Sequence, residues 1–433
     1  MSEKSPAGEA AVTAAAAVAT ASAATAATAA VTGNWRKAGI AGAAIGVIAA
    51  GAAAGVAIER MTVGRGMRRR ARLALDASGP YGALRGAPGK ALADDGTELY
   101  YEVEDTEPVD EGPEANGAAG TSSGPRRRRL FGRKAPTPVT VVFSHGYCLN
   151  QDSWHFQRAA LRGLVRTVHW DQRSHGRSAR GVSQSGPGAV PVTIDQLGRD
   201  LKAVIDAAAP EGPLVLVGHS MGGMTMMALA DQFPELVRER VVGIALVGTS
   251  SGRLGEVNYG LPVAGVNAVR RVLPGVLRAL GSQAELVERG RRATADLFAG
   301  LIKRYSFSSK DVDPAVVRFA ERLIEGTPID VVAEFYPAFT DHDKVQALSV
   351  FLEVPALVLA GESDLVTPSS HSEAIADLLP DAELVLVPDA GHLVMLEHPE
   401  VVTDRLADLL ARVGAMPSEA NVGRHGSTAQ PGG

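Results

Sequence analysis

The chain has very little cysteine and no large excess of charge. Cys148 is the single cysteine among 433 residues, so an internal disulfide is excluded, as is common in a reducing compartment. Lysine and arginine number 43 against 48 acidic residues, which gives a formal net charge of −5. This charge and the lack of a nucleic-acid-binding motif argue against a nucleic-acid partner.

The N-terminal part lacks the side chains that a packed core requires. Residues 11–30 are almost wholly Ala, Thr, Val and Ser, so we expect disorder over 1–37. Residues 38–58 form an uncharged Ala, Gly, Ile and Val run, and no good signal-peptide cleavage pattern follows it. A bilayer span needs about 20 residues, so this run predicts a transmembrane helix and membrane association, with an Ala-rich soluble or surface helix as the alternative. The arginine excess after the run predicts a single-pass protein with a cytoplasmic catalytic domain.

One segment predicts a reactive serine. The apolar run Pro213–Val217 comes directly before Gly218-His219-Ser220-Met221-Gly222, and a helical pattern follows it. A G-x-S-x-G sequence between a strand and a helix is typical of a nucleophile elbow, in which the serine has strained backbone angles and small neighbours prevent a clash. Ser220 is therefore the candidate nucleophile.

An acid and a base follow Ser220 in the order that this architecture uses. Asp364 comes after the apolar run 355–361, and His392 comes after 382–387, so both lie at carboxyl ends of predicted parallel strands. The rival acid is Glu362, which we rank below Asp364 because Asp364 directly precedes a turn-like pattern. The rival base is His342, whose acidic neighbours are equally typical of an exposed turn.

Acyl chemistry also requires two backbone N–H groups for the oxyanion. Met221, directly after the nucleophile, supplies one of them in the predicted elbow. The strand 139–144 ends in His145-Gly146, so Tyr147 is the predicted second donor, with Gly146 permitting close approach. Cys148 is a weak rival nucleophile, because no acid or histidine follows it in a matching strand-end pattern.

These segments together resemble the α/β-hydrolase superfamily over about residues 90–413. The resemblance implies esterase-like acyl chemistry without a cofactor or metal, and cofactor-free haloperoxidases and C–C hydrolases share the same triad. A serine nucleophile argues against the dehalogenase and epoxide hydrolase branches, which carry aspartate there. Ser174 is a departure, since the family often has glycine at that position. The matching segments are His145-Gly146-Tyr147, Asp171–Ser178, Gly218–Gly223, Gly361–Asp364 and Gly391-His392.

Alternating strand and helix patterns predict an α/β fold, with a mostly parallel, doubly wound sheet and an inserted helical cap. The apolar stripes of the cap are candidate linings of a substrate pocket, or simply pack the cap on the core. The predicted divisions are 1–37 (low complexity), 38–58 (transmembrane), 59–89 (basic linker), 90–252 with 346–413 (hydrolase core), 104–138 (disordered insertion in the core), 253–345 (cap) and 414–433 (disordered tail).

The sequence therefore predicts a serine hydrolase that cleaves a carboxylic ester or related acyl compound through an acyl-enzyme. Its expected partner is a small-molecule ester or acyl substrate. The alternative from another class is a non-catalytic, membrane-tethered ligand-binding protein on the same fold. An intact Ser220, Asp364 and His392 set argues against this alternative, because a binding protein does not need all three residues.

Overall fold

The computed structural model describes residues 81–106, 137–257, 275 and 303–416. The predictions for 1–37 and 38–58 therefore lie outside the described residues, as do those for most of the basic linker, the centre of the 104–138 insertion and most of the C-terminal tail.

Eight strands form one sheet in the order β1-β2-β4-β3-β5-β6-β7-β8. Strand β2 pairs antiparallel with both β1 and β4, and the remaining pairs are parallel. This confirms the predicted α/β fold with a mostly parallel sheet. The strands are β1 (Ala87–Leu92), β2 (Glu98–Glu104), β3 (Thr140–Ser144), β4 (Arg166–Trp170), β5 (Leu214–His219), β6 (Val241–Val247), β7 (Ala356–Gly361) and β8 (Glu383–Val387).

Helices cover the sheet, and the described ones alternate with its parallel strands. They are α1 (His155–Leu161), α2 (Ile194–Ala208), α3 (Met221–Gln232), α4 (Pro234–Arg240), α5 (Pro314–Glu325), α6 (Ile329–Thr340), α7 (Ser369–Leu378), α8 (Val394–Glu397) and α9 (Pro399–Arg412). Short 3₁₀ turns lie at Gln151–Trp154, Leu254–Glu256 and Gln346–Phe351.

The inner strands are apolar runs because helices cover both of their faces. Every residue of β3, β5 and β7 is buried, so the strands show no alternation between polar and apolar positions. Their side chains divide between apolar clusters, one of which contains Val142, Leu216 and Val358 while another contains Phe143, Val217 and Leu359. The sheet thus holds the carboxyl ends of β5, β6 and β7 beside one another.

Among the described strands, the outer edge of the sheet is β1, which pairs with β2 alone. β1 contains Pro88 and Gly89, and most of its residues are exposed, so the sequence carries no strand-like apolar pattern there. Backbone pairing holds it instead, in a register that runs from Ala87 opposite Val103 to Leu92 opposite Glu98. Hydrogen bonds to one neighbouring strand are enough to hold an outer strand, even when most of its side chains are exposed.

A buried ion-pair cluster joins strand β2 to helix α1. Arg158 is 1% exposed, and its guanidinium contacts the carboxylates of Glu102 and Glu104, which are 0% and 6% exposed. Tyr100 also donates to Glu102, at 2.8 Å. A charge is tolerated in the interior only with such partners, because moving a single ion out of water costs on the order of several kcal/mol. This cluster therefore fixes the β1–β2 hairpin to helix α1.

Helices α5 and α6 lie within the stretch predicted as a cap, while 258–274 and 276–302 lie outside the described residues. Helix α6 contributes Val331, Phe335 and Ala338 to an apolar cluster that also contains Met221 and Met224 of the helix after the elbow. Helices α6 and α3 therefore share one apolar cluster. The division of the chain into core and cap stays a prediction.

The predicted localisation, a single-pass membrane protein with a cytoplasmic catalytic domain, is contradicted. Within 81–106, 137–257 and 303–416, no helix is both long enough and apolar enough to cross a bilayer. The run 38–58 on which the prediction rested lies outside the described residues. The prediction relied on the length of this run more than on its composition. Ala and Gly side chains contribute little transfer free energy, whereas Leu, Ile, Phe and Val favour insertion.

Candidate active site

Ser220 lies at a sharp turn between the end of β5 and the first residue of α3. Its backbone has φ 53° and ψ −118°, a left-handed conformation that non-glycine residues rarely adopt. A Cβ added to Gly218 would lie 2.6 Å from the backbone of Gly222, and one added to Gly222 would lie 2.2 Å from the Ser144 carbonyl. Only glycine fits at both positions, so the predicted elbow geometry is present around Ser220.

Asp364 and His392 are in direct contact. The Nδ1 atom of His392 lies 2.8 Å from Oδ2 of Asp364, and both residues are almost fully buried. Asp364 also accepts from the backbone N–H groups of Val366 at 2.7 Å and Thr367 at 2.9 Å. Burial raises the pKa of the Asp364 carboxyl, but the charge and hydrogen bonds of His392 and these N–H bonds outweigh it and hold that pKa below its usual value. Asp364 therefore fixes a proton on Nδ1 and leaves Nε2 of His392 as the acceptor.

The two rivals lie elsewhere. Glu362 is exposed, and its backbone N–H pairs with Val387 at 3.0 Å. His342 is buried, and its Nε2 lies 2.8 Å from the backbone carbonyl of Ser250. The structure thus places Asp364, rather than Glu362, on His392, and gives His342 a backbone partner.

The loop predicted to form the oxyanion site lies against the nucleophile. A Cβ added to Gly146 would be 3.2 Å from Cβ of Ser220, so the backbone approaches the elbow closely. Gln172 donates its backbone N–H to Nε2 of His145 at 2.9 Å, which leaves the His145 proton on Nδ1, 2.7 Å from the Gly146 carbonyl. Because the peptide is trans, holding this carbonyl toward His145 turns the Tyr147 N–H the other way. Met221 begins α3, where backbone N–H groups have no partner within the helix.

The Tyr147 side chain connects this loop to helix α6. Its hydroxyl donates to the Val332 carbonyl, and its ring lies 4.9 Å from the ring of Phe339 and 6.3 Å from that of Phe335. These contacts are apolar apart from the hydroxyl. Phe335 is 0% exposed, so these contacts pack helix α6 against the loop beside the elbow.

Two supporting residues escaped the sequence prediction. His219 is fully buried, and its Nε2 lies 2.9 Å from the carbonyl of His392, so it ties the elbow to the loop that carries the candidate base. The Thr367 hydroxyl lies 2.9 Å from Oδ2 of Asp364 and 2.8 Å from the Gly248 carbonyl. A signal existed for Thr367, since an aspartate that precedes a turn commonly binds N–H groups two and three residues later. For His219 no local pattern gives the long-range partner.

Ser174 occupies the turn where the resembling family often has glycine. It adopts φ 63°, the conformation that glycine takes without strain. Its hydroxyl accepts from the backbone N–H of Gly181 at 3.1 Å, which offsets part of that strain. The departure therefore leaves the turn in place.

Across the described ranges, no three His, Cys, Asp or Glu side chains are grouped so that they could hold a metal ion.

Three buried histidines should make the fold sensitive to acid. Burial lowers the pKa of His145 to about 4 and those of His175 and His219 to about 3. In the unfolded chain these groups bind protons near the ordinary histidine pKa of about 6.5, so the unfolded state gains protons first as the pH falls. Their contribution to stability is complete above about pH 6.5 and is lost below it, by about 2 kcal/mol for each histidine between pH 7 and pH 5. Urea unfolding at these two pH values measures the loss.

The same measurement between pH 7 and pH 8.5 is the control, because the three histidines are neutral in both states there. An unfolding midpoint that stays constant from pH 7 to pH 5 would contradict the buried, neutral state of these rings.

Comparison with known proteins identifies the family. The chain is 28% identical over 311 residues to the dihydrolipoyllysine-residue acetyltransferase component of the acetoin cleaving system of Pseudomonas putida, covering 69% of this chain and 73% of the relative. It is 30% identical over 278 residues to the sn-1-specific diacylglycerol lipase ABHD11 of Mus musculus, covering 64% and 82%. A thermophilic esterase structure from Thermogutta terrifontis matches with a TM-score of 0.53 at 23% identity, over 75% of this chain and 98% of that one, which shows a shared fold. A sequence profile described as alpha/beta hydrolase fold matches residues 139–399, more than half of the chain, and the chain therefore belongs to the alpha/beta hydrolase fold family.

Proposed function

We propose that the chain is a serine hydrolase that cleaves a carboxylic ester, or a related acyl compound, through an acyl-enzyme on Ser220. The observation that carries the proposal is the pairing of His392 with Asp364 at 2.8 Å at the same sheet edge as the strained Ser220 elbow. A binding protein gains nothing from a strained serine and a buried acid–base pair, whereas acyl transfer requires both.

In the first half of the proposed reaction, Nε2 of His392 takes the proton from Ser220 Oγ as the oxygen attacks the substrate carbonyl. The Tyr147 and Met221 N–H groups donate to the oxyanion of the tetrahedral intermediate. The protonated His392 then gives its proton to the leaving alcohol oxygen, the carbon–oxygen bond breaks, and the acyl group stays on Ser220. Asp364 stays ionised and stabilises the imidazolium, consistent with its lowered pKa.

In the second half, water replaces the alcohol. His392 takes a proton from the water as its oxygen attacks the acyl-enzyme, and the same N–H groups stabilise the second oxyanion. His392 returns the proton to Ser220 Oγ as the carboxylic acid leaves. The half-buried rings of Tyr147 and Phe339, which lie 4.9 Å apart between their centroids, favour an uncharged acyl group.

The relatives support this class of reaction. The mouse relative is named as a lipase that acts on diacylglycerol, which is a carboxylic ester, and the Thermogutta structure is titled an esterase. The Pseudomonas relative is named as an acetyltransferase component, which is also acyl chemistry. The three names share an acyl group in transfer, and this shared chemistry is what supports the proposal.

A fluorophosphonate probe tests the proposal. The probe should form a covalent bond with Ser220 Oγ, because the elbow, the base and the oxyanion donors act together on a tetrahedral phosphorus. Mass spectrometry of the labelled peptide identifies the residue. Ser220→Ala should abolish labelling, and Ser349→Ala, at an exposed serine in a 3₁₀ turn, should leave it unchanged. Labelling that persists in Ser220→Ala would sink the assignment of the nucleophile.

Substrate range follows from a panel of p-nitrophenyl esters of increasing acyl length. An apolar site predicts faster turnover of uncharged acyl groups than of dicarboxylate half-esters of equal length. If the probe labels the wild-type chain but no ester is hydrolysed, the substrate is another acyl compound rather than a carboxylic ester.

A further inference from the structure

The loop that carries His392 is packed against a second segment, 306–309. The backbone N–H of Leu393 donates to the Ser306 carbonyl at 2.9 Å. A Cβ added to Gly391 would lie 2.9 Å from the backbone atoms of Phe307, Ser306 and Ser308, so the two backbones touch and only glycine fits. The residues directly before and after His392 therefore both contact 306–309, which belongs to the stretch predicted as the cap.

Glu397 binds both segments with one carboxylate. Its Oε2 accepts from the backbone N–H of Gly391 at 2.6 Å, beside the candidate base. Its Oε1 accepts from the backbone N–H groups of Ser308 at 2.9 Å and Ser309 at 2.6 Å. Each oxygen thus serves one segment, and the carboxylate joins the histidine loop to 306–309.

A carboxylate is the side chain that this arrangement requires. All three partners are N–H donors, and an ionised carboxylate is acceptor-only at both oxygens. Hydrogen bonds to a charged acceptor are about twice as strong as those between neutral groups. Glu397 is also partly buried, so water competes less for these bonds than it does at the surface.

The remaining contacts of His392 show what Glu397 adds. Asp364 holds the Nδ1 side of the ring, and His219 holds the His392 carbonyl at 2.9 Å. Neither Asp364 nor His219 reaches the backbone on the N-terminal side of His392. There Ser363 donates to the Ala390 carbonyl at 3.0 Å, and Gly391 donates to Glu397. Proton transfer needs Nε2 within hydrogen-bond distance of Ser220 Oγ, and a displacement of about 1 Å can lower the rate by about 100-fold.

We propose that Glu397 is a positioning residue, which sets the place of the His392 ring against Ser220 by fixing the histidine loop to 306–309. The inference rests on the proposed serine hydrolase function. It makes the base depend on a segment outside the parallel sheet, so that a shift of 306–309 also moves the general base.

Glu397→Gln is the test, because glutamine keeps the shape but replaces one oxygen with an NH₂ group that faces N–H donors. We expect kcat for a small p-nitrophenyl ester, and the rate of fluorophosphonate labelling, to fall by about 10- to 100-fold with KM little changed. The low-field proton NMR signal of the His392 Nδ1 proton should shift. Glu400→Gln, an exposed glutamate on α9, is the matched control and should change none of these.

Glu397→Asp is the conservative variant, which keeps both acceptors on a shorter side chain and should recover part of the labelling rate. It also replaces Glu397→Gln as the test if the glutamine variant does not fold by circular dichroism. Wild-type protein that is not labelled at Ser220 would refute the proposed function. Labelled wild type together with a folded Glu397→Gln that shows the wild-type rate and Nδ1 signal would overturn the positioning role alone.

Discussion

Ser220→Ala and His392→Ala are each expected to lower kcat for ester hydrolysis by about 10⁵- to 10⁶-fold. The elbow brings the serine to the sheet edge where His392 is held by Asp364, so neither residue retains its role once the other is lost. Single-turnover and steady-state assays with a p-nitrophenyl ester measure the change.

The double variant Ser220→Ala with His392→Ala should be little slower than either single variant, because residues that act in one step are not additive. Residual activity above the uncatalysed rate would come from substrate binding and the Tyr147 and Met221 N–H groups. Losses that multiply would show that Ser220 and His392 act in separate steps.

Asp364→Asn should lower kcat by about 10⁴-fold while the protein stays folded. The asparagine keeps the size of the side chain, but its NH₂ group can donate to Nδ1 of His392. The imidazole would then carry its proton on Nε2, so His392 could not accept the Ser220 proton. Steady-state kinetics and an unfolding curve together separate this effect from a loss of structure.

Glu362→Gln is the matched control for Asp364→Asn, since Glu362 lies two residues away and is exposed. We expect it to change kcat by less than about threefold, as is usual for a surface substitution away from the site. The reverse pattern, with Glu362→Gln inactive and Asp364→Asn active, would make Glu362 the acid.

The parts of the site that follow from local pattern were predictable. An apolar run followed directly by G-x-S-x-G predicts a strand, a strained serine and a helix in one short segment. Ser220 has the predicted backbone geometry. The parallel sheet then places the ends of β7 and β8 near the end of β5, which is why Asp364 and His392 could be named although they are distant in sequence.

The parts that depend on long-range partners were not predictable. Glu397 has an ordinary helical sequence context, and only the fold shows its carboxylate facing Gly391 and Ser308. His219 was not among the predicted site residues, because no local pattern indicates its partner, whereas the structure gives it the His392 carbonyl. Strand β1 lacked a strand-like pattern, because most of its residues are exposed and backbone pairing with β2 defines it.

The buried cluster of Glu102, Glu104 and Arg158 restricts how this sequence can drift over generations. Loss of Arg158 removes the buried partner that the two carboxylates share. Breaking a buried ion pair in this way costs about 3–5 kcal/mol, which is a large share of the stability of a typical domain. Joint replacement by apolar side chains of similar volume is often neutral or stabilising. A change from this cluster to an apolar one therefore passes through less stable single variants. We expect the three residues to be inherited or exchanged as a group.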